Sequence, residues 1–211
     1  SCGEFFEKAF DFNQTLTALP AGTYQFKGQA FQRPGNTEDV YKAFTAGQDN
    51  VNVVIYAGDE EAKIQNIAAE AQTKKLGGSE TAVGSNPTRY VPNNMRAASF
   101  YFAAELYDNG VVTQLDEDDS KMKVGMRCEE VQAAYWTIFD NFRLYYYGTM
   151  SPDQVTSIRQ TVADKAQLDG PFATPADVYS LSGIRVRQQA TSLDGLPQGI
   201  YIVNGYKLVV R

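Results

Sequence analysis

Short segments of β-branched and aromatic residues, separated by turn-forming residues, recur along most of the chain and predict a fold made mainly of β-strands. The pattern is clearest after Asp177. There, Asn204-Gly205 separates two apolar segments, and both residues readily adopt the positive φ angles that a type I′ turn requires. We therefore predict a β-hairpin that joins Tyr201–Val203 to Tyr206–Val210, within a compact C-terminal β-meander.

Six further segments of the preceding chain have strand character. The sequence Leu-Pro-Ala-Gly at 19–22 predicts a type I turn, and hence a hairpin between the first two of these segments. In the last segment, strict alternation places Ile138, Asp140 and Phe142 on one face of the strand. The six segments are Phe10–Leu19, Thr23–Phe31, Val51–Tyr56, Val111–Leu115, Met122–Cys128 and Ile138–Tyr146.

Three other segments have helical character. Lys63–Ala71 is a candidate for a short helix, and the loop that follows it is long and rich in glycine. Asn94–Tyr107 is rich in alanine, and either Asn93 or Asn94 can cap its start. The helix-stopping sequence Asp-Asn-Gly follows it. From Val155 to Ala166, apolar residues recur at helical spacing, and Asp-Gly-Pro at 169–171 ends the segment.

Together these segments predict a mainly β chain with three parts. Residues 1–148 are expected to form a β-sandwich of the jelly-roll type with one inserted helix, because several short antiparallel strands are joined by turns. Residues 149–172 form a helical connector, and residues 173–211 form the C-terminal β-meander. The length of 211 residues is sufficient for one large and one small unit.

Composition excludes several functional classes. The net charge is −6 and the isoelectric point about 4.8, so no basic face is expected to hold nucleic acid. Histidine is absent, which removes Ser-His-Asp and Cys-His catalysis and imidazole metal sites. The acidic clusters at 59–61 and 116–119 are expected in open turns, which do not supply the burial that raises the pKa of a catalytic acid. We therefore expect no enzyme and no nucleic-acid partner and, since no apolar segment is long enough, no transmembrane segment.

The chain contains two cysteines, Cys2 and Cys128, which either pair as a disulfide in an oxidising compartment or stay free. The sequence Ser-Cys-Gly at 1–3 also resembles the cleavage site of bacterial lipoproteins, at which the cysteine receives a lipid. In this chain aromatic residues follow at once and leave no polar tether. The cysteines therefore define no disulfide framework.

The C-terminal segment has a specific pattern, in which Val-Tyr-Ser-Leu-Ser-Gly at 178–183 is followed by Gly-Ile-Tyr-Ile-Val-Asn-Gly at 199–205 and a basic last residue. This pattern resembles the C-terminal sorting or anchoring segments of secreted multidomain proteins of the Bacteroidetes type, in a short variant. The resemblance implies a protein that is secreted, or displayed on the outer-membrane surface of a Gram-negative bacterium, with a further domain upstream. The alternative is an ordinary terminal meander that packs on the main domain.

A second resemblance covers residues 4–148 and depends on four motifs in combination. The motifs are Phe10–Arg33, Tyr90–Phe102, Lys121–Arg127 and Trp136–Gly148. Together they resemble the galactose-binding-like β-sandwich modules of surface proteins and glycan-degrading enzymes of the same bacteria. The resemblance implies a non-catalytic carbohydrate-binding module whose partner is a glycan or glycoconjugate. Such modules usually begin with a further strand before the position of Glu4, so we expect the C-terminal part of a longer protein, in which residues 1–148 lack the first strand. The alternative is a structural or adhesion spacer domain without a small-molecule site.

Sugar recognition combines an aromatic ring, which stacks on the apolar face of a pyranose, with planar polar groups that bind its hydroxyls. Aromatic and polar side chains at or near predicted loops are therefore the candidates. For each of them a structural role is the alternative: Trp136 in the core, Arg33 paired with an acid, and Tyr145, Tyr146 and Tyr147 covering the sheet. The candidates for carbohydrate binding are Arg33, Asn36, Tyr41, Arg89, Tyr90, Asn93, Asn94 and Trp136.

In related sandwiches an acid on the final strand helps to hold a structural calcium ion, and the resemblance implies this role for Asp140. Glu4 or Asp11, near the first strand, would join it together with backbone carbonyl oxygens, since calcium requires six to eight oxygen ligands. The alternative is that Asp140 accepts hydrogen bonds from backbone amides or pairs with Arg143. No other cofactor is expected.

Overall fold

The structure is a computed structural model that describes residues 2–130, 132–156, 176–180, 184–203 and 206–210. The chain divides into two compact units, Ser1–Pro152 and Asp153–Arg211. The predicted sandwich at 1–148 falls within the first unit, and the predicted meander at 173–211 falls within the second. The fold is mainly β, as predicted, with several antiparallel sheets and few helices.

The described residues of the first unit form eleven strands and two helices. In chain order these are β1 (Gly3–Phe6), β2 (Phe10–Leu19), β3 (Gly22–Pro34), α1 (Thr37–Thr45), β4 (Val53–Ala57), β5 (Glu60–Lys63), β6 (Gln65–Asn66), β7 (Glu80–Val83), β8 (Arg89–Pro92), α2 (Met95–Ala103), β9 (Asp108–Leu115), β10 (Ser120–Cys128) and β11 (Tyr135–Tyr146).

In the second unit, the described residues form one antiparallel sheet with the strand order β13-β12-β14-β15. Pairing of β14 with β15 confirms the predicted hairpin, whose turn residues 204–205 lie outside the described residues. Residues 152–156 are helical, and the rest of the predicted connecting helix lies outside the residues that the structure describes. The four strands are β12 (Ala176–Ser180), β13 (Arg185–Ala190), β14 (Gly199–Val203) and β15 (Tyr206–Val210).

Two sheets of the first unit pack face to face around an apolar core. Sheet A has the order β1-β11-β3-β6, with β9 also paired to β3, and sheet B has the order β2-β10-β4-β5. The core between them includes Phe26 and Phe139 from sheet A and Ile55 and Met126 from sheet B. The long strand β3 pairs with β11 along one edge, and with β9 and then β6 along the other. It therefore organises most of sheet A.

A second apolar cluster lies on the outer face of sheet A, the face turned away from sheet B. Helix α2 contributes Tyr101 and Phe102 to this cluster, and sheet A contributes Phe31, Trp136 and Ile138. Sheet A is thus covered on both faces where α2 lies, which explains why its strands carry apolar side chains on both faces there.

The predicted hairpin between the first two long strands is wrong, because β2 and β3 belong to different sheets. β2 pairs with β10, whereas β3 pairs with β9 and β11. Ala18 has a φ of 56°, and the backbone N–H of Ala21 donates to Oδ1 of Asp118 (2.8 Å). The Leu-Pro-Ala-Gly sequence therefore forms a corner between the two sheets instead of a hairpin turn.

The predicted alternation along the last strand of the sandwich is also wrong. The register of β11 against β3 shifts between Asp140 and Arg143, and Asn141 has a φ of 53°. This β-bulge reverses the alternation of side chains. As a result Phe139 and Phe142 both contact the core between the sheets, whereas Ile138 belongs to the cluster on the outer face.

The helices differ from the prediction in three respects. Residues 63–71 form the end of β5, strand β6 and turns instead of a helix. Helix α1 is absent from the prediction, although Val40 and Phe44 lie one helical turn apart and Asn36 caps it. Helix α2 has the predicted asparagine cap, with Oδ1 of Asn94 accepting from the N–H of Ala97 (2.8 Å). It ends at Ala103, before Tyr107, because Glu105 and Tyr107 have positive φ angles of 62° and 57°.

The two cysteines are both free and buried in separate clusters. Cys128 lies in the core between the sheets, and Cys2 in the cluster on the outer face of sheet A. The thiol of Cys128 is 3.2 Å from the carbonyl oxygen of Glu130, and burial raises its pKa. The structure therefore has two free cysteines and no disulfide between them.

Asn109 is a buried polar residue at the point where β3 changes its partner from β9 to β6. Its Nδ2 donates to the carbonyl oxygens of Ala30 and Tyr107 (2.7 Å each), and its Oδ1 accepts from the N–H of Gln65 (2.8 Å). The side chain is 5% exposed. The carbonyl oxygen of Tyr107 also accepts from the N–H of Ala30 (2.9 Å), so the amide of Asn109 reinforces this contact and adds the Gln65 N–H to it.

We predict that Asn109→Ala lowers the free energy of unfolding by about 2 kcal/mol, because it removes the hydrogen bonds of the side chain to the Ala30 carbonyl and the Gln65 N–H. Urea unfolding followed by tryptophan fluorescence measures this change. The matched control is Asn93→Ala at an exposed position, for which the expected change is below about 0.5 kcal/mol. Equal, small changes in the two variants would contradict the role given to Asn109.

Candidate functional site

A groove lies on the outer face of sheet A, beside the C-terminal end of α2, and has a volume of about 630 Å³. Strands β3, β9 and β11 form its floor, and the end of α2 with the turn that follows forms its wall. The β-bulge of β11 opens into it. The lining residues are Lys27, Gln29, Asp108, Asn141, Phe142 and Arg143 from the strands, and Phe102, Ala103 and Glu105 from the wall.

The side chain of Gln29 holds the wall and the floor of the groove together. Its Nε2 donates to the carbonyl oxygens of Phe102 (2.8 Å) and Leu106 (3.0 Å), at the end of α2. The carbonyl of Phe102 also accepts from the N–H of Glu105 (3.0 Å), so Gln29 adds a second hydrogen bond at the helix end and one in the turn that follows. Its Oε1 accepts from Nδ2 of Asn141 (2.5 Å) in the bulge. Gln29 is 4% exposed, and it fixes the helix end and the bulge to one point of β3.

Three charged side chains meet across neighbouring strands of the floor. Asp108 forms ion pairs with Lys27 and with Arg143, whose Nη2 lies 3.1 Å from Oδ1 of the carboxylate. The strand register brings them together, because Lys27 is opposite Arg143 on β11, and Asp108 is opposite Gln29. The carboxylate is therefore held between two cations, and Arg143 presents its guanidinium at the surface with 44% of its side chain exposed.

The groove combines side-chain groups that suit a neutral, hydroxyl-rich ligand. Arg143 and Asn141 carry planar donors at the surface, and Asp108 and the amide oxygen of Asn141 carry acceptors, while the buried amide of Gln29 holds Asn141 in place. Phe102 and Phe142 add carbon surface at the edge. Fixed planar donors and acceptors next to carbon atoms can bind hydroxyls and contact the C–H face of the same molecule.

Arg33, Trp136 and Glu4, three of the predicted site residues, are neighbours on sheet A outside the groove. The guanidinium carbon of Arg33 lies 5.0 Å from the ring centre of Trp136, and the indole Nε1 donates to Oε2 of Glu4 (2.8 Å). Trp136 is 5% exposed and packs in the apolar cluster. Nε of Arg33 is buried with no hydrogen-bond partner in the described chain, and burial lowers the pKa of this side chain. Trp136 is thus a core residue, which is the structural role given above as the alternative to carbohydrate binding.

Two predicted residues belong to α1. Oδ1 of Asn36 caps this helix by accepting from the N–H of Glu38 (3.1 Å). Asn36 also lines a smaller depression of about 280 Å³, together with Asp39 and other polar residues. Tyr41 is half-buried and packs toward the turn at Gly84, where its ring approaches the glycine closely.

The other four predicted residues lie on β8 and at the start of α2. Arg89 and Tyr90 are half-buried in β8, and Nζ of Lys75 lies 5.5 Å from the ring centre of Tyr90. Asn93 is exposed, and Asn94 caps α2. None of the eight predicted residues lines the groove. A role for them in carbohydrate binding stays a prediction.

The predicted calcium ligands do not form one site. Glu4 and Asp140 lie on sheet A, whereas Asp11 lies on the outer face of sheet B, with its Oδ2 2.6 Å from Nζ of Lys123. Oδ1 of Asp140 accepts from the N–H of Asn141 (2.8 Å). Within the described ranges, no group of three or more carboxylate or cysteine side chains is placed to hold a metal ion. Asp11 therefore lies apart from Asp140, and calcium binding by Asp140 with Glu4 stays a prediction that rests on the resemblance.

The sequence analysis missed the residues of the groove. Gln29, Lys27 and Arg143 are ordinary polar residues of alternating strands, and unbroken alternation along the last strand gives no sign of the bulge at Asn141. The usable signal was Asp-Asn-Gly after α2, which places an acid at the start of β9 next to the helix end. Only the register of β3 with β9 and β11 brings these side chains together.

Comparisons with protein-family models, with curated proteins and with solved structures found no match to this chain. Of the helices in the described part of the chain, none has both the length and the apolar character needed to cross a membrane.

We predict a pH-dependent contribution of Asp11 to stability. The hydrogen bond from Lys123, and then that from Tyr56 (2.5 Å), lower the pKa of this carboxyl below its usual range. A lowered pKa in the folded state stabilises the fold above the pKa of the unfolded chain, about 4. This contribution is lost as the pH falls through the folded value.

Asp11→Asn should therefore be less stable than the unchanged protein at pH 7, and the difference should shrink as the pH falls below about 4. Urea unfolding at a series of pH values measures it, with Asp59→Asn at an exposed turn as the control. A difference that is constant with pH, or that grows in acid, would rule out the assigned role of the Asp11 carboxylate.

Proposed function

We propose that the first unit is a non-catalytic carbohydrate-binding module and that the groove beside α2 binds the glycan. The observation that supports this is the set of fixed planar side chains in one open groove. Gln29 and Asn141 hold each other, and Asp108 holds Lys27 and Arg143, so these groups are oriented before a ligand arrives. Preorganised donors and acceptors lose little conformational entropy on binding, which favours affinity for a weakly hydrophobic ligand.

The charge of the chain and of the groove supports a glycan more than other ligands. The chain has a net charge of −6, which disfavours polyanions such as nucleic acid. In the groove, Oδ2 of Asp108 is paired with Lys27 and Oδ1 with Arg143, so the charges compensate one another, which suits a neutral ligand. The proposal therefore assigns binding, and no chemical step, to these residues.

The resemblances found in the sequence complete the proposal. The sandwich is taken as a galactose-binding-like jelly roll, and the second unit as a short C-terminal sorting segment. The protein would then be secreted or displayed on the outer-membrane surface of a Gram-negative bacterium, as the C-terminal part of a multidomain protein. The antiparallel sheet of the second unit and the two packed sheets of the first are consistent with both assignments.

An array of plant, host and microbial glycans tests the function, followed by calorimetry with each glycan that is retained. We expect specific retention, and a loss of affinity of roughly tenfold in Arg143→Ala, because a hydrogen bond from a charged group to the ligand is removed. The matched control is Arg127→Ala, since Arg127 is ion-paired with Glu61 on the outer face of sheet B, away from the groove.

Two results would contradict the proposal. Absence of retention on every glycan would favour the alternative of a spacer or adhesion domain. Equal loss of affinity in Arg143→Ala and Arg127→Ala, with both variants folded, would place the binding site outside the groove.

A further inference from the structure

The outer face of sheet A continues beyond the groove, along β3 and β11. After the bulge, the register of the two strands runs without a shift from the pair Lys27–Arg143 to the pair Gln25–Tyr145. Side chains two residues apart on a strand lie on the same face, about 7 Å apart. Tyr145 therefore lies on the same face as Arg143, next to the groove.

The two aromatic rings that line the groove pack against other side chains of the fold. Phe102 is 4% exposed and belongs to the apolar cluster. Phe142 is half-buried, with its ring stacked on that of Phe26 at 5.6 Å between centres. The ring of Tyr145 differs, because 39% of this residue is exposed. Beside the polar groove, Tyr145 thus offers an aromatic surface to solvent.

A side-chain hydrogen bond fixes the strand pair at Tyr145. Gln25, the cross-strand partner of Tyr145, is 6% exposed, and its Oε1 accepts from the hydroxyl of Tyr147 (3.1 Å). Because Arg143 and Tyr145 are two residues apart on one face of β11, a ligand that contacts Arg143 in the groove is within reach of the ring of Tyr145.

We infer that the ligand is an oligosaccharide chain and that Tyr145 forms an aromatic subsite for a sugar unit beyond those held in the groove. The inference rests on the proposed function of the groove and adds the class of ligand to it. Polar contacts at Arg143 and Asp108 hold one part of the chain, and the ring of Tyr145 stacks on the C–H face of a later unit. Affinity should therefore increase with the length of the glycan.

The chain offers a matched control in the next residue. Tyr146 is more exposed than Tyr145, at 52%, but it lies on the opposite face, where its ring is 4.9 Å from that of Tyr24 and its hydroxyl donates to the carbonyl oxygen of Ala21 (2.8 Å). Tyr179→Ala, at an exposed tyrosine of the second unit, serves if Tyr146→Ala does not fold. Tyr145→Phe retains the ring and tests stacking against hydrogen bonding by the hydroxyl.

The experiment is calorimetry of the full chain with the dimer, tetramer and hexamer of cello-, manno-, xylo- and galacto-oligosaccharides. For the series that binds, we expect the unchanged protein to bind the tetramer more tightly than the dimer. Tyr145→Ala should weaken tetramer binding roughly three- to tenfold and change dimer binding less than twofold. Tyr145→Phe and Tyr146→Ala should behave as the unchanged protein does.

Each of the other outcomes would overturn one part of the inference. Unchanged tetramer affinity in Tyr145→Ala, or an equal loss for dimer and tetramer, overturns the subsite and leaves the proposed function in place. Equal affinity of the unchanged protein for dimer and tetramer overturns the oligosaccharide ligand. Absence of binding in every series, while Arg143→Ala also has no effect on array retention, overturns the proposed function and the subsite with it.

Discussion

The amide of Gln29 is the interaction on which the geometry of the candidate site depends. Two regions that are distant in sequence meet at this side chain on β3: the end of α2 with the turn that follows it, and the bulge of β11. A buried amide that makes all its hydrogen bonds specifies one arrangement, because any displacement leaves a polar group without a partner. The groove exists because α2 ends at this point and leaves the rest of the outer face of sheet A open.

Much of the strand content could be predicted from the sequence, and the pairing of the strands could not. β2, β10 and β11 follow local patterns of β-branched and aromatic residues, which depend on neighbours in the chain. The assignment of β2 and β3 to different sheets depends on a corner at Pro20 that has the same sequence signal as a hairpin turn. The bulge at Asn141 could not be predicted from the sequence either, since its residues follow the pattern of a continuous alternating strand.

The candidate site was harder to predict than the fold for the same reason. Loop aromatics such as Tyr41 and Tyr90 were chosen because exposed rings often bind sugars, yet both are half-buried beside other elements. Gln29 and Arg143 give no local signal, because their role comes from the register of β3 and β11. The resemblance to galactose-binding-like modules indicated a class of function, whereas the position of the groove follows only from three-dimensional packing.

The central claim is that a glycan binds in the groove next to α2. Nuclear magnetic resonance of the isotopically labelled protein, titrated with a glycan retained on the array, tests it most directly. The account predicts that the largest shift changes occur at the side-chain amide of Asn141 and at backbone amides of Lys27, Asp108 and Arg143. Changes concentrated instead at Tyr41, Arg89 and Tyr90 would place the ligand at the residues chosen from the sequence and contradict the account.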